Sequence, residues 1–154
     1  MKLTIVSVGR LKERYWRDAA QEYLKRLTPY ATVSVVEVAD RDLSRDEIAA
    51  VAAEGADTLR ALPSGAHVVV LDRSGKQLSS EEFSAWLGGH GLAGRSSIAF
   101  VLGGAAGLAP DVLGRADERL SLGALTLPHQ LARVVLLEQL YRAFRIMRGE
   151  PYHR

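Results

Sequence analysis

Apolar runs and amphipathic segments alternate along this chain. Several short runs have the length and the β-branched content of buried strands. They cover residues 1–8, 32–38, 67–72, 98–102 and 119–122. Longer segments repeat apolar residues at helical spacing, and they cover residues 11–27, 44–62, 79–89 and 128–148. Because strands that alternate with helices form parallel sheets covered on both faces, the pattern predicts an α/β fold with a mainly parallel sheet and helices on both sides.

Local signals predict where two of the helices begin and end. Ser44, followed three residues later by Glu47, is typical of a capping box that opens the second helix. Ser79 or Ser80 is expected to cap the third helix. That helix is expected to fade at residues 88–89, because two successive glycines weaken a helix.

The last predicted helix, from Pro128 to Arg148, is apolar over much of its circumference. Its apolar positions include Leu131, Val134, Val135, Leu136, Leu137, Leu140, Tyr141, Ala143, Phe144 and Met147. A surface helix needs only one apolar face. The helix is therefore either buried centrally in one chain or packed on its own sheet and on a second subunit. In so small a domain we favour the second interpretation, a twofold homodimer.

Composition narrows the class of protein. The 154 residues predict one domain, 1–154, and the contents of 47% hydrophobic and 25% charged residues are those of a soluble folded protein. The lack of cysteine excludes disulfides and thiolate metal sites and fits a reducing cytoplasm. The apolar run at residues 3–8 is too short for a signal-peptide core or a membrane span, so no membrane association is expected. A net charge of +2 permits a nucleic-acid partner but does not by itself argue for one.

Glycines follow two of the predicted strands. Gly103, Gly104 and Gly107 come after the run at 98–102, and Gly123 comes after the shorter run. The strand at 67–72 is expected to end at a Ser74-Gly75 turn. Ligands of parallel sheets bind beyond the carboxyl ends of the strands, so these ends predict a cradle for a small molecule. A plain strand-to-helix turn explains the glycines about as well, since they match neither the dinucleotide fingerprint nor a phosphate loop.

The remaining candidates for chemistry are the histidines and the end of the chain. The histidines are His67, His90, His129 and His153, and no two of them have the spacing of metal ligands. We expect His67 and His90 to be structural or exposed to solvent. The end of the chain combines Arg142, Arg145 and Arg148 with an aromatic, an imidazole and a guanidinium at residues 152–154. These groups can stack on bases, move protons and bind phosphates, although solubilising end residues are the plainer interpretation.

Several motifs resemble the ribosomal RNA large subunit methyltransferase H family. They are the segments Leu102-Gly103-Gly104, Gly107-Leu108, Leu125-Thr126-Leu127-Pro128-His129, Glu138-Gln139-Leu140-Tyr141-Arg142-Ala143 and Pro151-Tyr152-His153-Arg154, together with the start of the chain through Trp16. The resemblance covers essentially the whole chain. It implies a SPOUT-class α/β methyltransferase with a C-terminal trefoil knot, active as a homodimer with S-adenosyl-L-methionine and without a metal. The implied substrate is N3 of a pseudouridine in the large-subunit (23S) RNA of an assembled ribosome in the cytoplasm.

The resemblance also implies which residues form the site. The implied cofactor-binding residues are Leu71, Gly103, Leu122, Gly123, Ala124, Leu125, Thr126 and Leu127. Tyr152 and His153 are candidates for orienting the target base and handling its proton, and Arg142 and Arg154 for contacts with phosphate or carbonyl groups. Two other interpretations stay open. One is a non-catalytic RNA-binding or ribosome-binding factor, and the other is an α/β enzyme that uses a nucleotide cofactor.

Overall fold

A computed structural model describes residues 1–152, and it has the layered architecture that the alternating pattern predicts. The strands are β1 (Lys2–Val8), β2 (Thr32–Val38), β3 (His67–Gln77), β4 (Ser97–Leu102) and β5 (Glu118–Ser121). The helices are α1 (Arg14–Leu27), α2 (Glu47–Ala61), α3 (Ser80–Leu92), α4 (Pro110–Arg115) and α5 (His129–Met147). The strands form one sheet in the order β2-β1-β4-β3-β5, and all of the pairs between them are parallel.

Helices cover both faces of this sheet because successive strand residues point in opposite directions. Ile5, Val69 and Phe100 point towards the layer that contains α1, α3 and α5. Their neighbours Val68 and Val101 point towards the layer that contains α2 and α4. The central strands β1, β3 and β4 are therefore apolar on both sides, as expected for parallel strands buried between two layers.

Three of the predicted boundaries are wrong. The cap of α2 is Asp46, whose side chain accepts a hydrogen bond from the backbone N–H of Ala49, and not Ser44. Ser79 caps α3 in a full capping box with Glu82, but the helix continues through residues 88–89 to Leu92. The third strand does not end at Asp72, and β3 continues to Gln77.

The continuation of β3 brings two strands unusually close together. Leu71 and Lys76 both pair with Leu120 of β5, so residues 72–75 form an arc beside the end of that strand. At Gly75 an added Cβ would lie 2.6 Å from the backbone carbon of Leu120. Only glycine fits there, which explains why a sequence typical of a turn lies inside a strand.

The last helix is half enclosed by its own chain. Leu136, Leu137, Leu140 and Ala143 are buried against α1, α3 and the sheet. The remaining apolar positions in the first half of the helix, including Val134, are only partly buried. The central-burial interpretation therefore holds for one stripe of α5, and a second stripe, which includes Leu131 and Val135, is only partly covered within the chain.

Candidate functional site: a cleft at the carboxyl edge of the sheet

A cleft of about 640 Å³ lies beside the ends of β4 and β5 and the irregular part of β3 that follows Leu71. Its volume is in the range of small-molecule sites. The residues that line it include Leu71, Asp72, Gly103, Gly104, Leu122, Gly123, Leu125, Thr126, Leu127 and His129. Seven of the eight residues that the sequence assigns to a cofactor are among them, and the eighth, Ala124, is exposed and does not line the cleft. The structure thus brings the expected strand ends together, while ligand binding by these residues stays a prediction.

One wall of the cleft is a tight turn after β4. The N–H of Gly107 donates to the carbonyl of Gly104 at 3.1 Å, and the two residues form an isolated antiparallel bridge. A Cβ on Gly103 would lie 2.8 Å from both the carbonyl carbon and the carbonyl oxygen of Gly107, closer than non-bonded atoms normally approach. The glycine after the strand is therefore required by the packing of the turn, and it leaves backbone rather than side chains at the cleft surface.

The opposite wall is the segment that links β5 to α5. Ser121 folds this segment back, since its hydroxyl donates to the carbonyl of Gly123 and accepts from the N–H of the same residue. Leu122 and Leu125 extend large apolar side chains beside the cleft, and Leu125 is 82% exposed. Exposed apolar side chains can pack on a flat apolar ring, and nearby backbone groups can bind polar atoms at its edges. The cleft therefore suits a ligand that has both features.

His129 begins α5 at the edge of the cleft, and sequence reasoning did not assign it to the site. Burial, and next the positive charge of Arg133, lowers the pKa of His129, so its imidazole is neutral near pH 7. Arg133 lies one turn further along and is 4% exposed. Its guanidinium donates to Glu37 at 2.6 Å and to the carbonyl of Gly9 at 2.9 Å, which ties α5 to β1 and β2. The proline before His129 was the signal that could have placed this histidine beside the cleft.

Asp72 also lines the cleft. Its carboxylate accepts a hydrogen bond from the backbone N–H of Ser74 at 3.2 Å. Asp72 therefore stabilises the local turn of the chain and also lies at the ligand cleft. A carboxylate at this edge could accept hydrogen bonds from hydroxyl groups of a ligand.

A second group of predicted residues lies at the other end of α5. The hydroxyl of Tyr152 donates to Glu138 at 3.2 Å, and Nη2 of Arg142 donates to the same carboxylate oxygen at 2.6 Å. The guanidinium of Arg142 also lies 4.8 Å from the centre of the Tyr152 ring. Burial, followed by the negative charge of Glu138, raises the pKa of Tyr152 to about 12. The phenol is therefore protonated at neutral pH, and it acts as a hydrogen-bond donor.

The two groups of predicted residues are far apart within one chain. His129 borders the cleft, whereas Arg142 lies further along the same helix by an axial rise of about 20 Å. Tyr152 packs beside Arg142 and does not line the cleft. His153 and Arg154 lie outside the described residues, so their predicted roles have no structural counterpart here.

No helix in the described part of the chain, residues 1–152, is both long enough and apolar enough to span a membrane.

Comparisons with known proteins give the family. The family described as "Predicted SPOUT methyltransferase" matches residues 1–153. Two curated relatives, each covered completely and each covering the whole chain, are called ribosomal RNA large subunit methyltransferase H. The one from Carboxydothermus hydrogenoformans is 48% identical, and the one from Listeria welshimeri is 52% identical.

Similarity to solved structures extends the comparison to the fold. A probable methyltransferase from Bordetella pertussis Tohama I superposes with a TM-score of 0.56 at 16% identity, over 92% of this chain and 95% of the other. At that identity the likeness concerns the fold alone, and it agrees with the parallel sheet described above. The chain is therefore a member of the SPOUT methyltransferases and, within them, of the ribosomal RNA large subunit methyltransferase H family.

Proposed function

We propose that this chain transfers a methyl group from S-adenosyl-L-methionine to N3 of a pseudouridine in the 23S RNA of the assembled ribosome. The names of the relatives supply the RNA substrate. The observation that carries the proposal is the cleft, which collects residues that follow β4 and β5 and residues from the arc in β3, at the edge where parallel sheets bind ligands.

The residues of the cleft fit this cofactor. Leu71, Leu122 and Leu127 supply apolar surface for an adenine ring, and Asp72 supplies a carboxylate suited to ribose hydroxyls. Gly107 also lines the cleft, and no atom lies within 4 Å of the position that a Cβ would take there, so the main chain is open on that side. A compact group can therefore approach the main chain closely on that side.

The chemistry divides between the cofactor and the protein. S-adenosyl-L-methionine supplies a methyl group that its sulfonium already activates. The chain must hold the target base in line and assist the loss of the N3 proton. Tyr152 is protonated, and it can orient the base by turning its single O–H from Glu138 to an acceptor on the base. The neighbouring Arg142 can stabilise negative charge that develops on the ring. His153 remains the candidate for accepting the proton.

The distance along α5 supports a shared site in a homodimer. The Tyr152–Arg142 pair is too far from the cleft of its own chain to contact a ligand there. A twofold partner could pack on the partly covered apolar stripe of α5, and the C-terminal segment of that partner could then reach the cleft. The exposed side chain of Leu125 at the edge of the cleft supplies apolar surface for such contact. We therefore propose that the tail acts across the dimer.

The C-terminal knot is proposed on similar grounds. Residues 72–75 form an arc beside β5, and the chain leaves β5 at this point towards α5. A knot requires the C-terminal segment to pass through a loop of the chain, and this arc lies where that segment leaves β5. The family membership provides independent support.

Methyl transfer from labelled cofactor tests the proposed function. We expect label to enter the 23S RNA of whole 70S ribosomes, with much less in separate 50S subunits and none in naked RNA. Mapping of the labelled nucleotide should give N3-methylpseudouridine. Label absent from all three substrates, while the protein still binds RNA or ribosomes, would favour the non-catalytic binding factor instead.

A further inference from the structure

Two histidines and a glutamate that are far apart in the sequence meet at the opposite edge of the sheet from the cleft. His67 begins β3, Glu118 begins β5, and His90 lies in the last turn of α3. From Glu118 to the end of β5 the strand rises by about 10 Å, so this cluster is separate from the methyl-transfer site. His90 is 5% exposed, so of the two roles expected from the sequence, structural or exposed to solvent, the second does not apply.

The distances in the cluster match those between ligands of one metal ion. Nε2 of His67 and Nε2 of His90 each lie 3.5 Å from Oε1 of Glu118. One ligand atom from each of the three residues can be chosen so that all lie within 4.8 Å of one another. A tetrahedral Zn²⁺ with bonds of about 2.0–2.1 Å holds its ligand atoms roughly 3.4 Å apart, so small movements suffice to close the site.

One of the atoms that would face an ion lacks a partner among the described residues. Nε2 of His67 is buried and has no hydrogen-bond partner among the described residues. A buried nitrogen without a partner is costly, and coordination would remove that cost.

An outer hydrogen bond orients Glu118, and a carboxylate lies behind His67. The indole N–H of Trp86 donates to Oε2 of Glu118 at 2.6 Å, which leaves Oε1 directed towards the histidines. Nδ1 of His67 lies 3.8 Å from the carboxylate of Asp117. A carboxylate behind a histidine is the common arrangement around zinc, because it favours the tautomer whose other nitrogen binds the ion.

We propose that His67, His90 and Glu118 bind one divalent transition-metal ion of the Zn²⁺ type, which links β3, α3 and β5. Two imidazoles and a carboxylate are ligands that Zn²⁺ accepts, with a water molecule as the fourth ligand. The site lies away from the cleft, so the ion stabilises the amino-terminal edge of the sheet and takes no part in methyl transfer.

Arg95 controls access to the metal-binding tautomer. In the structure Nη1 of Arg95 lies 3.0 Å from Nδ1 of His90, so Nδ1 accepts and the proton is on Nε2. Metal binding at Nε2 requires that proton to be lost and Nδ1 to carry one instead. Arg95 must then swing away, which its exposed position allows. Removal of this side chain should therefore strengthen metal binding.

Titration of the purified, chelator-treated protein with Zn²⁺ and with Co²⁺ tests the site. We expect one ion per chain, visible Co²⁺ absorption bands typical of tetrahedral coordination, and a rise in Tm of about 5–10 °C at a free Zn²⁺ concentration 100 times the Kd. The Glu118→Gln and His90→Gln variants should each weaken binding by at least about 100-fold. Trp86→Phe should weaken it by about 10- to 100-fold, and Arg95→Ala should strengthen it.

The double variant His67→Gln/His90→Gln is the control for adventitious binding, because it keeps His129 and His153. Loss of the Co²⁺ bands and of the Tm shift in this variant supports the site. Unchanged affinity in the double variant, absence of binding by the wild-type protein at 100 µM Zn²⁺ (about the level of weak surface sites), or weaker binding by Arg95→Ala would each overturn the proposal.

Discussion

Gly103→Ala is expected to weaken the binding of S-adenosyl-L-methionine by at least tenfold and to lower methyl transfer by a similar or larger factor. The new methyl group would lie 2.8 Å from the carbonyl of Gly107, so the turn between β4 and α4 must move. Overpacking of this kind costs about 1–3 kcal/mol, and the displaced turn forms one wall of the cleft. Isothermal titration calorimetry measures the affinity, and thermal melting measures the loss of stability.

Gly114→Ala is the matched control for this substitution. Gly114 lies in α4, no atom outside its own local backbone lies within 4 Å of an added Cβ, and its φ is not in the left-handed region. Alanine there should leave cofactor affinity unchanged and raise stability slightly, because glycine is the poorer helix former by about 1 kcal/mol. Equal cofactor affinity in the Gly103→Ala and Gly114→Ala proteins would contradict the role assigned to the turn.

A mixed dimer is expected to recover activity that neither parent has. One subunit carries Gly103→Val, which blocks its cleft, and the other carries Arg142→Ala with Tyr152→Ala, which removes the described tail contacts. If the tail acts across the dimer, each mixed dimer contains one site with an intact cleft and an intact tail. Random mixing should then restore about a quarter of the wild-type rate, since half of the dimers are mixed and each has one of two sites.

The controls for this experiment are the two parent dimers and a tagged preparation that isolates the mixed species. Each parent alone should be inactive while retaining its fold by thermal melting. A purified mixed dimer as inactive as its parents would show that cleft and tail must belong to the same chain. The proposal of a shared site would then be wrong, even though the methyltransferase proposal could stand.

The sheet was predictable because its signals are local and repeated. The buried strands are apolar on both faces, and four amphipathic segments separate or follow them. Boundaries were less predictable where tertiary contacts outweigh local propensity. The helix α3 continues past Gly88 because Leu87 and His90 are buried on either side of it, and a Cβ on Gly88 would lie only 3.1 Å from the sulfur of Met147. Such packing depends on a helix more than fifty residues away.

The capping error at α2, by contrast, has a local physical cause. Asp42 accepts a hydrogen bond from the N–H of Ser44 at 2.9 Å, so this serine belongs to a turn before the helix. Asp46 then provides the cap, as aspartate does as readily as serine. Two acceptable capping residues two positions apart cannot be ranked by pattern alone.

The order of the strands in the sheet explains why the cleft could be predicted from the sequence and the metal cluster could not. The cleft could be predicted because residues at the carboxyl ends of parallel strands share one edge, and Leu71, Gly103 and Leu122 each lie at or directly after the end of an apolar run. The cluster of His67, His90 and Glu118 could not, because it depends on β5 pairing with β3. No pattern of residue spacing in the sequence predicts that β5 pairs with β3.

Calorimetry on the purified wild-type protein tests most directly whether the glycine-walled cleft is a methyl-donor site. One molecule of S-adenosyl-L-methionine, or of S-adenosyl-L-homocysteine, is expected to bind per chain and to raise the melting temperature. No heat and no change in melting temperature with either compound, at concentrations up to the millimolar range, would contradict the account.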